Sequence, residues 1–135
     1  MRLTQMQDVG GCAILPSMDA VQEVLAGIKR NWDVVTVDNY VDEPRTSGYR
    51  AIHVITRKDG LAIELQLRTP GQQTWADEIE RIDSVTDYAL KDEEGPEHVL
   101  AYTRKLAEII SLLDAGTSVQ PSDLTALATL RQGVP

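Results

Sequence analysis

The sequence predicts a mixed α/β domain of the α+β type, in which about four strands form one sheet and helices pack on its apolar face. Two alternating runs flank Asp59 and Gly60, an arrangement typical of a β-hairpin. An apolar run from Val9 to Leu15 precedes a segment of helical periodicity that begins after Ser17. Helical patterns also follow the hairpin, and 135 residues is a length that suits one domain.

The first part of the chain supplies a strand, a helix and a second strand. Val9 to Leu15 is the predicted first strand, and Ser17 is the predicted N-cap of the helix. Apolar residues at helical spacing follow at Val21, Val24, Leu25 and Ile28, so this helix is expected to lie on the sheet. Val34 to Val37 is predicted as the second strand. The polar stretch from Asp38 to Ser47 is either a mobile loop or a simple connection.

The turn of the hairpin fixes its register. Asp59 and Gly60 favour a two-residue type I′ turn because both central positions need positive φ. Counting outward pairs Arg57 with Ala62, Ile55 with Glu64, His53 with Gln66 and Ala51 with Arg68. Side chains alternate between the two faces of a sheet, so these residues and Tyr49 share one face. The opposite, apolar face receives Ile52, Val54, Thr56, Leu61, Ile63, Leu65 and Leu67.

Three segments after the hairpin show helical signals. Thr69 as N-cap and Pro70 at the first helical position predict a helix from Pro70 to about Leu90. Its buried stripe is predicted to contain Trp75, Ile79, Ile82 and Val85. A further helix is predicted to start at Pro96 and to bury Leu106, Ile109, Ile110 and Leu113. From Gly116 onward, the leucine spacing indicates either a short terminal helix or a segment that docks on a partner.

Composition narrows the classes of function. The formal charge of −8 and the isoelectric point near 4.6 argue against non-specific nucleic-acid binding, which needs a basic surface. Cys12 is the only cysteine, so an intrachain disulfide or a cysteine-based zinc site is excluded, and a reducing cytoplasm is expected. No signal-like or membrane-spanning apolar run is found in the sequence, so we expect a soluble protein without a membrane partner.

The polar face of the hairpin is the candidate functional site. It gathers a carboxylate, an amide, an arginine, an imidazole and an aromatic ring on two adjacent strands, and such convergence on a rigid element suits a binding site. In an acidic protein, phosphate contacts must come from a few arginines or a divalent cation. A solvated sheet surface and a face that packs against another subunit are the two alternatives.

Three segments together resemble the synthetase domain of RelA/SpoT-type alarmone enzymes. They are MQDVGGCAIL at Met6 to Leu15, RTSGYRAIHVI at Arg45 to Ile55, and IELQLRTPGQQTWADEIE at Ile63 to Glu80. The resemblance covers roughly Leu3 to Leu90. It implies a nucleotidyltransferase-like fold and the transfer of pyrophosphate from ATP to the ribose 3′-hydroxyl of GTP or GDP, giving (p)ppGpp.

The resemblance also implies roles for individual residues. Asp8 and Glu64 would be the catalytic carboxylates that hold Mg²⁺, and Glu64 could instead activate the attacking hydroxyl group. Tyr49 would stack on the guanine base. The residues around the acceptor phosphates and the metal site would be Arg45, His53, Gln66 and Arg68. These roles agree with the need of phosphoryl transfer for alignment and charge neutralisation.

The resemblance leaves two functions open. Relatives hold ATP with basic residues upstream of the aspartate, whereas Arg2 is the only basic residue before Asp8, so we expect the ATP-binding segment to be missing. The chain is therefore either a small or shortened (p)ppGpp synthetase or a catalytically inactive module for nucleotide binding or assembly. Residues 1–115 would form the synthetase-like domain and residues 116–135 a tail or short helix. A homo-oligomer is compatible with either function.

Overall fold

The computed structural model describes residues 10–135. Along these residues the elements follow one another in the order strand, helix, three strands and three α-helices, with a short 3₁₀ helix at Leu90–Asp92 between the first two of those three. Their bounds are β1 Gly10–Ile14, α1 Met18–Asn31, β2 Asp33–Asn39, β3 Ile52–Lys58, β4 Leu61–Arg68, α2 Pro70–Ser84, α3 Glu97–Asp114 and α4 Pro121–Arg131. The mixed α+β class predicted from the sequence is confirmed.

The four strands form one sheet in the order β1-β4-β3-β2, in which β1 runs parallel to β4 and the other neighbours are antiparallel. Asp59 and Gly60 have φ values of 51° and 78°, as a type I′ turn requires. The predicted pairs of Arg57, Ile55 and His53 are present in the β3–β4 ladder. The local turn therefore sets the register of the central strands.

The chain divides into two compact units. The described part of the first unit is residues 10–43 and 51–70, which contain the sheet and α1. Ser17 caps α1 as predicted, and its Oγ accepts a hydrogen bond of 3.1 Å from the Ala20 amide. The core between α1 and the sheet contains Val21, Leu25, Ile28, Ile52, Val54 and Leu67. Of the residues predicted for the apolar face, Leu61 beside the turn is exposed.

The second unit contains residues 44–50 and 71–135 and is helical. Helix α2 ends at Ser84, earlier than the predicted Leu90, and Val85 is 64% exposed instead of buried. Three side chains bond to the backbone where the helix ends: Ser84 Oγ donates to the Arg81 carbonyl, Thr86 Oγ1 donates to the Ile82 carbonyl, and the Asp83 carboxylate accepts from the Leu90 amide. Such bonds compete with further helical turns.

The later helices follow the sequence prediction except at Leu106, which is only half-buried, and at Leu113. Helix α3 begins directly after Pro96 and buries Ile109 and Ile110, but Leu113 is 62% exposed because it lies in the last turn of the helix. Of the two alternatives for the tail, the structure shows a terminal helix. Its start is held by a capping box, and Asp123 also accepts a hydrogen bond of 2.9 Å from Lys105 on α3. None of the helices that the structure describes is long and apolar enough to cross a bilayer.

Candidate functional site

A cleft follows the junction of the parallel strands β1 and β4. It is lined by Gly10, Gly11, Cys12, Glu64 and Gln66, and the ladder places Gly10 beside Glu64 and Cys12 beside Gln66. A Cβ atom at Gly10 would lie only 1.8 Å from the Glu64 carbonyl oxygen. The strands can therefore approach this closely only because residue 10 has no side chain.

Glu64 on β4 and His53 on β3 are diagonal neighbours on one face of the sheet. The Nδ1 atom of His53 lies 3.3 Å from Oε1 of Glu64, which brings an imidazole and a carboxylate into one polar pair. The ring of Tyr40 meets the His53 ring edge-on, with 5.2 Å between centroids and 82° between planes. Aromatic pairs favour this geometry, so Tyr40 limits the orientations open to the imidazole.

Arg68 is turned toward the same row of polar residues. Its side chain donates a hydrogen bond of 2.7 Å to Oε1 of Gln66, and the residue is only 7% exposed. A buried guanidinium that holds a neighbouring amide fixes which end of that amide faces the cleft. The geometry thus gives Arg68 a positioning contact with Gln66.

Arg45 and Tyr49 belong to the second unit and bracket a tight turn. The Gly48 amide donates a 2.9 Å hydrogen bond to the Arg45 carbonyl. Tyr49 is 5% exposed, and its ring centroid lies 5.7 Å from that of Trp75. The ammonium group of Lys91 lies 5.7 Å from the centroid of the Tyr49 ring, a cation–π distance. Tyr49 is therefore a buried aromatic residue in this structure.

A second contact fastens the same turn. The Thr46 amide donates a 3.1 Å hydrogen bond to Oε1 of Glu93. This hydrogen bond, with the charge of Arg45 as a smaller cause, lowers the pKa of the Glu93 carboxyl group below its ordinary value. Lys91 and Glu93 both belong to the connection between α2 and α3, so that connection holds the Tyr49 turn through its ring and its backbone.

The structure brings together four of the seven predicted site residues: His53, Glu64, Gln66 and Arg68. Arg45 and Tyr49 have the separate surroundings described above. Asp8 lies outside the described residues, so its pairing with Glu64 stays a prediction. Sequence reasoning missed Tyr40 as a neighbour of His53. Asp38 on β2 lies opposite His53. Since side chains alternate along a strand, Tyr40, two residues later and just past the end of β2, lies on the same face, and this alternation could have indicated the contact.

The donor atoms of the cleft suit a hard cation only in part. Within residues 10–135, no three His, Cys, Asp or Glu side chains come close enough to hold a metal ion. Glu64 supplies one carboxylate in an open cleft, and Mg²⁺ is often held by one or two carboxylates with substrate phosphates and water. Glu64 therefore fits as a single protein ligand to a magnesium ion that also binds a nucleotide.

Comparison with known families identifies one match. The family described as the region found in RelA/SpoT proteins matches residues 2–88. Comparison with curated proteins finds no match.

Three solved structures share the fold at low sequence identity. Small alarmone synthetase 2 from Bacillus subtilis is 23% identical with a TM-score of 0.64, over 78% of this chain and 61% of that protein. A GTP pyrophosphokinase family protein from Streptococcus pneumoniae is 20% identical with a TM-score of 0.63, over 90% and 64%. Small alarmone synthetase 1 from Bacillus subtilis, bound to its product pppGpp, is 21% identical with a TM-score of 0.62, over 90% and 61%. The chain thus spans less than two thirds of each of these proteins.

Proposed function

Because this chain belongs to the RelA/SpoT family, we propose that it is a (p)ppGpp synthetase that transfers pyrophosphate from ATP to the 3′-hydroxyl group of GTP or GDP and releases AMP. The single observation that carries the proposal is the pair of Glu64 and His53 beside the β1–β4 cleft. The solved relative bound to pppGpp supports nucleotides as substrates.

Glu64 is the proposed acceptor of the proton from the attacking hydroxyl group. A new oxygen–phosphorus bond at the ribose requires that this proton leave, and a carboxylate within hydrogen-bond reach can accept it. His53 at 3.3 Å keeps the carboxylate in one orientation. Since Tyr40 packs on the imidazole, Tyr40, His53 and Glu64 form a chain of contacts that ends at the reacting group.

Phosphate binding is the proposed task of the neighbouring polar side chains. Bound Mg²⁺ would neutralise charge on the transferred phosphates, with Glu64 and, as the resemblance implies, Asp8 as its protein ligands. His53 and Gln66 would donate hydrogen bonds to phosphate oxygens. Arg68 keeps the Gln66 oxygen engaged, so the amide nitrogen of Gln66 is directed to other partners. Arg45, which is exposed, adds a positive charge for the acceptor phosphates.

Tyr49 is the proposed platform for the purine base. A base can stack on the ring only after Lys91 moves away from it, because Tyr49 is 5% exposed while Lys91 lies over its ring. Binding of the acceptor nucleotide would therefore displace the connection that carries Lys91 and Glu93. This step follows from the resemblance and from the contacts of the Tyr49 turn.

A nucleotide-binding or assembly module without catalysis is the second candidate. The observation in its favour is that Glu64 is the one carboxylate among the five described residues that line the cleft. A single carboxylate would hold Mg²⁺, the ion that neutralises nucleotide phosphates, more weakly than two carboxylates would.

Purified chain incubated with ATP, GTP and magnesium tests the proposal. Radiolabel from the β-phosphate of ATP should appear on GTP, and Glu64→Gln should abolish the product while GTP still binds. Glu80→Gln is the matched control, since Glu80 is exposed on α2, and it should keep full activity. GTP binding without any product would support the module, and Tyr49→Ala should weaken that binding by roughly 1–3 kcal/mol. Full activity in Glu64→Gln would refute the assigned chemistry.

A further inference from the structure

The first unit contains a second cleft, at the opposite end of the hairpin from His53. The junction of α1 with β2 and the last residues of β3 form its walls, and its volume is about 180 Å³. It is lined by Asn31, Trp32, Asp33, Arg57 and Lys58, none of which lines the Glu64 cleft. Arg57 lies four positions after His53 on β3, which is roughly 13 Å along a strand. Ala62, the cross-strand partner of Arg57, lies two residues before Glu64 on β4, so the two clefts share the hairpin but have no lining residue in common.

Trp32 presents an unusually open aromatic surface in this cleft. The residue is 43% exposed, whereas Trp75 in the second unit is 2% exposed and donates its indole hydrogen to the Thr103 carbonyl at 2.9 Å. A tryptophan normally buries a large apolar area, so the exposed indole face loses that stabilisation in the free protein. A flat heteroaromatic ring is the ligand that would cover it.

Arg57 and Lys58 line the cleft from the two faces of the end of β3, because side chains alternate along a strand, and both supply unneutralised positive charge. Both are exposed, and neither makes an ion pair with any residue in the described part of the chain. Asp33 is the cross-strand neighbour of Arg57, yet the two side chains do not form a salt bridge within residues 10–135. In a chain with a net charge of −8, two adjacent cations without acidic partners favour an anionic ligand.

The end of α1 adds a polar contact and more positive charge. Nδ2 of Asn31 donates a 2.9 Å hydrogen bond to the Gly27 carbonyl, which fixes the orientation of the amide. Oδ1 is the acceptor end of this amide. Lys29 and Arg30 occupy the last helical turn, where they offset the partial negative charge of the helix C-terminus. An anion is thus not repelled by the end of the helix.

We infer that this cleft, defined by Trp32, Arg57 and Lys58, is a second nucleotide site that binds a nucleoside di- or triphosphate. The base would stack on Trp32, the phosphates would contact Arg57 and Lys58, and Asn31 Oδ1 would accept a hydrogen bond from an amino group of the base. A short polyphosphate suits two cations. A nucleic-acid strand would need a row of basic residues along its backbone.

Fluorescence of Trp32 provides a direct test. Titration of the full chain with GTP in the absence of magnesium should quench tryptophan emission to saturation. The same titration of Tyr49→Ala removes the contribution of acceptor binding near Trp75, whose ring centroid lies 5.7 Å from that of Tyr49. The double variant Arg57→Ala/Lys58→Ala should raise the Kd by about tenfold or more. Trp32→Leu should remove the quenching, and calorimetry should show GTP affinity at this site reduced about 5- to 150-fold.

Two controls separate this site from the proposed active site. Arg131→Ala removes an arginine of the second unit that does not line the cleft and should leave the Kd within about twofold. Glu64→Gln/Tyr49→Ala should leave the quenching intact even where all synthetase activity and acceptor binding are lost. Inorganic triphosphate should compete with GTP. Quenching that is absent, that is unchanged in the double variant, or that appears only with an oligonucleotide would overturn the inference.

Discussion

Substitution of Gly48 by alanine tests how tightly the Tyr49 turn is packed. Gly48 has φ of 93°, and an added Cβ would lie 2.7 Å from the Cβ of Ala107. Contacts between carbon atoms are favourable only near 3.5–4.0 Å, so the turn or α3 must shift. Positive φ costs alanine about 1–2 kcal/mol, and overpacking adds about 1–3 kcal/mol. Gly48→Ala should therefore lower the free energy of unfolding by about 2–5 kcal/mol.

Gly116→Ala isolates the backbone part of this cost. Gly116 has φ of 70°, and no heavy atom lies within 4 Å of the position that an added Cβ would occupy, so only the cost of positive φ, about 1–2 kcal/mol, applies. Urea unfolding followed by circular dichroism measures both variants against the parent chain. Losses that agree within about 0.5 kcal/mol would refute the argument, because the contact with Ala107 would then carry no energy.

Other substitutions test the sheet, the helical unit and the cleft. Thr56→Val should raise the free energy of unfolding by about 1 kcal/mol, because the Thr56 hydroxyl is buried and has no hydrogen-bond partner among residues 10–135. A loss of stability in urea would contradict this. The hydrogen bond from Arg81 is the main cause that lowers the pKa of Glu78 below its ordinary value of 4.5. The ionised Glu78 carboxylate therefore stabilises the folded state fully above pH 4.5, and this stabilisation is lost as the pH falls through the lowered pKa. The difference in Tm between the parent chain and Glu78→Gln should thus shrink on acidification, and a constant difference would contradict this. Gly10→Ala should separate β1 from β4 and speed amide exchange in β1, and unchanged exchange would show that the strand accepts a side chain.

Features with local causes are predictable from the sequence. The hairpin register follows from Asp59 and Gly60 alone, and the start of α1 follows from Ser17, because the turn and the cap depend on residues within a few positions. The predicted end of α2 lies too far along the chain. Ser84 and Thr86 bond to backbone carbonyls there, and apolar periodicity does not report such competition.

The candidate site is predictable to the extent that it depends on strand alternation. That alternation places His53, Glu64 and Gln66 on one face, as the structure shows. The parallel pairing of β1 with β4 has no local signal, so the glycines and Cys12 of the cleft could not be assigned from sequence. The packing of Tyr40 on His53 depends in turn on where β2 ends.

The parallel pairing of β1 has a consequence for the order of folding. A hairpin closes a two-residue loop, whereas β1 joins β4 only after all of α1, β2 and β3 have been enclosed, which costs more chain entropy. All five residues of β1 are exposed, so little apolar burial holds the strand once it has docked. The wall of the Glu64 cleft is therefore the last part of the sheet to form and the first to detach, and a ligand that bridges both strands stabilises their joined state.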